Sequence, residues 1–282
     1  MDIFEIKKVK AVFEEPRKIV IVTHKNPDGD AIGSTIALYH YLKQKGHSVN
    51  MITPNEYPKN LKWLPGNNKV MTFEGHVKKA TSIINDAQVI FCLDFNSLKR
   101  IDDVGDVIAG TEAIKIIIDH HLEPEDFADI VFSDATASST AQMIYDFIEA
   151  MGDVKMLNAE ISNAIYMGIM TDTGSFRFPS VTARTHQVLA HLIESGATNY
   201  EVHDKVFDTN TEFRLRLLGY CMSEKMKVFE EFHAAFITLT KEELQRFQFQ
   251  KGDTEGFVNY PLSIAGIQMA AFFTEGEDAI RI

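Results

Sequence analysis

Residues 18–23 read Lys-Ile-Val-Ile-Val-Thr, a short β-branched run that predicts a buried strand. From 30 to about 45, Ile32, Ile36, Tyr39 and Leu42 recur at helical spacing, and Gly46 supplies the stop. Further strands are predicted at 48–53, 88–93 and 114–118, with a helix near 77–84. Strands alternating with helices predict an α/β domain built on a mainly parallel sheet flanked by helices. At the N-terminus, Ile6, Val9 and Phe13 share one face of an amphipathic helix. The pattern is largely helical from about 138 to 225, with helices expected at 139–150, 159–170, 183–194 and 212–225. After Val228 it changes again, and strands at 234–239 and 266–273 bracket a short helix at 241–247. A boundary is expected near 194–210. The chain then divides into a first domain over 1–194, a helical linker over 195–227 and a smaller α+β domain over 228–282.

Of the 282 residues, 45% are hydrophobic and 24% charged, a globular composition with enough apolar surface for a core. No apolar run approaches membrane-spanning length, so no membrane partner is expected. The two cysteines, Cys92 and Cys221, show no paired spacing. That argues against a disulfide framework or a cysteine zinc site and fits a reducing cytoplasm. Cys92 sits inside an apolar run and reads as core. A net charge of −12 argues against a large duplex-DNA footprint. It does not argue against phosphate substrates, because a carboxylate-rich metal site carries negative charge of its own.

Three of the predicted strands run directly into potential metal ligands. The first leads to His24, in His24-Lys25-Asn26-Pro27-Asp28-Gly29-Asp30; the next ends on Asp94; the third ends on Asp119-His120-His121. In open α/β sheets ligands bind at the carboxyl ends of strands, so these side chains can converge. Pro27 and Gly29 favour a tight loop, and Asp30 stands where a helix N-cap belongs. Alone, Asp-Gly-Asp reads as a turn and a cap, and a histidine pair reads as surface. Neighbouring side chains on an extended segment face opposite ways, so at most one of His120 and His121 is expected to bind a metal directly. Asp172 ends an apolar helix, in Thr171-Asp172-Thr173-Gly174. A carboxylate there opposes the helix dipole, and a cation would relieve the conflict. The remaining histidines, His40, His47, His76, His186, His191, His203 and His233, have no comparable setting and are expected on the surface or on helix faces.

Together these segments resemble the DHH phosphoesterase superfamily. Its four N-terminal motifs occur in order: His24 to Ser34, Asp94, Asp119-His120-His121, and Thr171 to Gly174. The small-residue run Ala137-Ser138-Ser139-Thr140-Ala141 is similar to the helix start found between the third and fourth. Within the superfamily the chain looks most like the nanoRNase branch, whose members degrade very short oligoribonucleotides and dephosphorylate 3′-phosphoadenosine 5′-phosphate (pAp). Residues 253–259 resemble the start of the DHH-associated C-terminal domain of that branch. The glycine-rich segment expected there, with its histidine, does not follow before Ile282, so the sequence reads as truncated and its substrate-binding half as incomplete.

The resemblance implies one metal held by His24, Asp28 and Asp94, and a second held by Asp30, Asp94, His120 and Asp172, with Asp94 bridging. His121 then faces the substrate phosphate, Asn26 and Asp119 orient the ligands, and Arg100 contacts phosphate. Four carboxylates and two imidazoles suit two divalent cations and favour Mn²⁺ over Mg²⁺; calcium, which wants oxygen donors alone, fits poorly. The implied activity is hydrolysis of short single-stranded oligoribonucleotides or nucleotides, and a homodimer is compatible with it. An exopolyphosphatase or inorganic pyrophosphatase on the same domain is the first rival. The pyrophosphatase branch carries a basic Ser-Arg-rich motif in its second domain, which is not found here. A non-catalytic nucleotide-binding regulator is the rival of another class, and it predicts a damaged ligand set. There is no GxxxxGK[ST] loop, G-x-S-x-G elbow or G-x-G-x-x-G turn.

Overall fold

The structure is a computed structural model describing residues 2–250, 252–276 and 279–281. Ile282 lies outside the described residues. The chain forms two compact units, Met1–Phe207 and Asp208–Ile282.

In the first unit the elements run α1 (Ile3–Val12), β1 (Lys18–Thr23), α2 (Gly29–Gln44), β2 (Ser48–Thr53), β3 (Val70–Thr72), α3 (Val77–Asn85), β4 (Val89–Leu93), α4 (Asp103–Ala109), β5 (Ile114–Asp119) and β6 (Ile130–Ser133). Then come α5 (Thr140–Met151), α6 (Ala159–Asp172), α7 (Ala183–Glu194) and α8 (Asn199–Phe207). The six strands form one sheet in the order β3-β2-β1-β4-β5-β6, and every pairing is parallel. Chain order reverses between β1 and β4, which opens a crevice at their carboxyl ends.

The apolar runs are continuous because both faces of the sheet are covered. Ile19, Ile21, Phe91, Leu93, Ile116 and Ile118 face a core shared with α2, α5 and α6. The alternate residues Val20, Val22, Ile90, Cys92 and Ile117 face a second core with residues of α3 and α4. Cys92 is thus plain core, and burial pushes its thiol up to about 12.

Helices α2, α5 and α6 approach unusually closely. A Cβ on Gly33 would lie 2.5 Å from the Ala164 carbonyl oxygen, and one on Gly168 would lie 2.4 Å from Cβ of Ala141. Only hydrogen fits at these two positions. The contact places the N-termini of α2 and α5 beside the C-terminus of α6.

In the second unit α9 (Glu212–Tyr220) leads to β7 (Met226–Phe229), β8 (Ala234–Leu239), α10 (Lys241–Arg246), β9 (Met269–Glu275) and β10 (Ile280–Arg281). The sheet order is β10-β9-β8-β7, with only β8 and β9 parallel. Leu217, Cys221, Ile237, Leu239, Leu244 and Phe257 form its core. No helix among the described residues is long and apolar enough to cross a membrane.

Three expectations are corrected. The helix expected over 212–225 is α-helical only to Tyr220 and continues as a π-helix over Cys221–Lys225 into β7. The strand expected from Gly266 begins at Met269, because Gly266 has φ 86° and turns the chain. His47, expected on the surface or on a helix face, lies in the loop after α2 and is 3% exposed. It accepts a hydrogen bond from the Arg17 N–H at Nδ1 and packs on Phe13 at a ring distance of 4.5 Å.

Candidate metal centre

The loop after β1 carries His24, Asn26 and Asp28. His24 donates from Nδ1 to the Lys25 carbonyl at 2.8 Å, which leaves Nε2 as the free donor atom. Asn26 has φ 52°, a left-handed conformation that asparagine tolerates. It is tied to Asn55, beyond β2, by two bonds of 2.7 Å: Asn55 accepts from the Asn26 N–H and donates its own amide to Asn26 Oδ1. The N-cap of α2 is Asp28, whose carboxylate accepts from the N–H groups of Asp30 and Ala31. This corrects the expectation that Asp30 is the cap. Asp30 is the second residue of the helix and faces α5, where it accepts from the N–H groups of Thr140 and Ala141 at 2.7 Å each. Ser139 caps α5 itself by accepting from the Gln142 N–H.

Asp94 directly follows β4 with φ 65° and is 2% exposed. Its Oδ2 lies 3.4 Å from Nε2 of His24, and its Oδ1 lies 3.6 Å from Nε2 of His120. Oδ1 also accepts the Thr140 hydroxyl at 2.9 Å. Nε2 of His120 is 3.9 Å from Asp30 and 3.8 Å from Asp172, while Nε2 of His24 is 3.8 Å from Asp28. The six residues proposed as ligands therefore meet in one cluster at the carboxyl edge of the sheet. It contains the groups His24–Asp28–Asp94 and Asp30–His120–Asp172, each with ligand atoms within 4.8 Å of one another.

His121 departs from the alternation expected of a strand. β5 ends at Asp119, so the two imidazoles lie edge to face with centroids 4.7 Å apart, and both approach Asp94. Nδ1 of His121 is 3.8 Å from Asp94 Oδ1. Its closer partner is buried Asp119, which accepts from His121 Nδ1 at 2.7 Å and from the His121 N–H at 3.2 Å. That bond raises the His121 pKa against the opposing effect of burial.

The electrostatics fit cations. Burial pushes the Asp30 carboxyl well above its ordinary range, and repulsion from Asp94, Asp172 and Asp28 adds to it. Asp172 is raised to about 6, first by burial and then by Asp94 and Asp28, although His120 pulls it down. Burial works against a charge on His24, but Asp28 and Asp94 outweigh it and hold the imidazole at about 10. Four crowded carboxylates with two imidazoles call for positive charge between them, and oxygen and nitrogen donors together suit divalent transition metals.

Arg100 sits half-buried in the short turn Leu98–Ile101 after β4. Among the described residues its guanidinium makes no hydrogen bond or ion pair, and its charge opposes protonation of His121. The sequence reading gave no role to Asn55 or to Thr140, although Thr140 lies in a segment singled out for its small residues.

Residues 18–169 match the DHH family, N-terminal domain. The chain belongs to the DHH family. Within it, the chain is similar to the bifunctional oligoribonuclease and PAP phosphatase NrnA of Bacillus subtilis, at 29% identity over 94% of this chain and 80% of that protein. The enzyme of the same name from Thermus thermophilus is 29% identical over 94% of this chain and 74% of its own length. Among solved structures, an exopolyphosphatase-related protein from Bacteroides fragilis is 42% identical with a TM-score of 0.96, covering 98% of this chain and 81% of that one. A DHH chain with this parallel sheet and donor set is a hydrolase of the phosphoesterase class.

Proposed function

We propose that this DHH protein is a two-metal, manganese-dependent phosphoesterase of the cytoplasm that hydrolyses short oligoribonucleotides and pAp. One observation carries the reading: Asp94 turns one carboxylate oxygen toward each of two histidines, which stand among separate carboxylates. His24, Asp28 and Asp94 would hold one ion, and Asp30, Asp94, His120 and Asp172 the other. Bound there, the pair would supply Lewis acidity and activate water at neutral pH. Imidazole donors favour Mn²⁺ over Mg²⁺.

The chain's own residues perform the rest. His121, held by Asp119, presents Nε2 as a proton donor to the leaving oxygen. Asn26 and Asn55 fix the loop that carries His24 and Asp28. Arg100 offers an uncommitted guanidinium to substrate phosphate. Residues 228–282 would belong to a DHH-associated, substrate-binding domain. The substrate class rests on the NrnA relatives, together with a net charge of −12 that disfavours a long nucleic-acid footprint.

The 42% identical exopolyphosphatase-related structure favours one second reading, polyphosphate hydrolysis at the same centre. A Mn²⁺-dependent panel of dinucleotides, longer oligoribonucleotides, pAp, pyrophosphate and polyphosphate separates the two. Turnover of dinucleotides and pAp is expected; turnover of polyphosphate alone would overturn the nucleotide reading.

A further inference from the structure

Lys25 occupies the position after His24, and its three polar groups point to three different places. Its carbonyl accepts from His24 Nδ1 at 2.8 Å and so sets the ring that offers Nε2 to the centre. Its N–H donates to the Arg100 carbonyl at 2.9 Å. Its ammonium pairs with Asp102 at 2.6 Å. Among the described residues, every hydrogen bond and ion pair between residues 24–28 and 97–102 comes from Lys25.

The partner segment is short and sharply bent. Asp102 holds φ 47° and ψ −137°, a conformation that residues with a Cβ adopt only under constraint. Gly105 packs on the same turn so closely that a Cβ there would lie 2.5 Å from the Leu98 carbonyl oxygen. At its other end the segment is tied to the loop after β5: Asn96 donates to the Leu122 carbonyl at 2.5 Å, and the Glu125 N–H donates to the Asn96 carbonyl at 2.8 Å. Arg100 is therefore carried on a turn braced from both sides, and Lys25 is the brace on the side of the metal ligands.

We propose that Lys25 is a positioning residue that, through its contacts with Arg100 and Asp102, holds the Arg100 guanidinium where the substrate phosphate binds. This rests on the reading of Arg100 as the phosphate contact. Both members of the Lys25–Asp102 pair are about half exposed, with side-chain exposures of 46% and 45%. An exposed ion pair contributes little to global stability. Its effect is expected in substrate affinity, because a displaced guanidinium would make a weaker contact with the substrate phosphate.

The test is pAp hydrolysis with Mn²⁺ by the full chain. In K25M the KM should rise about tenfold with kcat within about twofold, while Mn²⁺ affinity by calorimetry and the melting temperature stay unchanged. K25R should restore KM, since the ammonium's partner is a single carboxylate. D102N should reproduce K25M. The double variant K25M/R100A should be no worse than R100A, because both act through one contact. A normal KM in K25M beside a raised KM in R100A overturns the brace and leaves the Arg100 reading standing. A normal KM in R100A overturns both. Equal further losses from K25M with and without Arg100 also overturn the brace, since Lys25 would then act by another route.

Discussion

The Thr140 hydroxyl donates to Oδ1 of Asp94 at 2.9 Å, while the N–H of the same residue donates to Asp30 at 2.7 Å. One residue at the start of α5 thus orients two carboxylates of the centre. Thr140→Val keeps the shape and the N–H but removes the hydroxyl, leaving Asp94 free to rotate. Mn²⁺ affinity or turnover should fall about 10- to 100-fold, the usual effect of losing a partner behind a metal ligand. Calorimetry alongside dinucleotide hydrolysis checks this, and wild-type values in both would remove the orienting role.

Asp94→Asn is the sharpest single test of the shared carboxylate. Asparagine tolerates the left-handed φ of 65°, so the backbone is not the variable. Turnover should vanish and Mn²⁺ occupancy should drop at both positions. Near-normal Mn²⁺-dependent activity would rule out the bridge.

His120 and His121 should separate by function. His120 approaches Asp30, Asp94 and Asp172, so His120→Ala should lose metal. His121 is committed to Asp119 at 2.7 Å, so His121→Ala should keep the metals and lose about 10²–10⁴ in rate. Equal metal loss in the two variants, measured by calorimetry, would refute the division.

A pH prediction concerns His47, remote from the chemistry in role. Burial lowers its pKa below 6.5, and the charges of Lys45 and Arg17 add to that. Its Nδ1 accepts from Arg17 N–H, and its buried Nε2 has no partner. The folded state keeps the ring neutral at pH values where the unfolded state already binds a proton. Its stabilising contribution is present above about pH 6.5 and is lost as pH falls toward the folded pKa. One proton limits the slope to about 1.4 kcal/mol per pH unit. Melting curves of His47→Gln between pH 5 and 7 should be flatter than wild type; parallel curves would show that His47 does not carry this linkage.

Much of the site was legible because three strands deliver their ligands in sequence. His24, Asp94 and Asp119-His120 each stand at a strand end, where the apolar run and the polar residue are adjacent in the chain. The cap was misplaced by two residues because Asp28 and Asp30 are equally good local caps, and only α5 decides between them by taking Asp30. The strands β3 and β6 were missed because three or four residues at a sheet edge carry too little periodicity. Asn55 and Thr140 gave no signal for a different reason. Each acts through a partner that is distant in sequence, Asn26 and Asp94, and a single polar residue does not advertise its partner.

The bonds from Asp30 to Thr140 and Ala141 join residues 110 and 111 positions apart. Contacts of such long sequence separation carry a large loop-closure cost and reward the chain only once the intervening strands are in register. The centre is therefore not a local motif that a fragment can pre-form. If the centre binds Mn²⁺ as proposed, metal uptake would act as a folding clock for the first unit: refolding followed by strand signals should run ahead of refolding followed by metal.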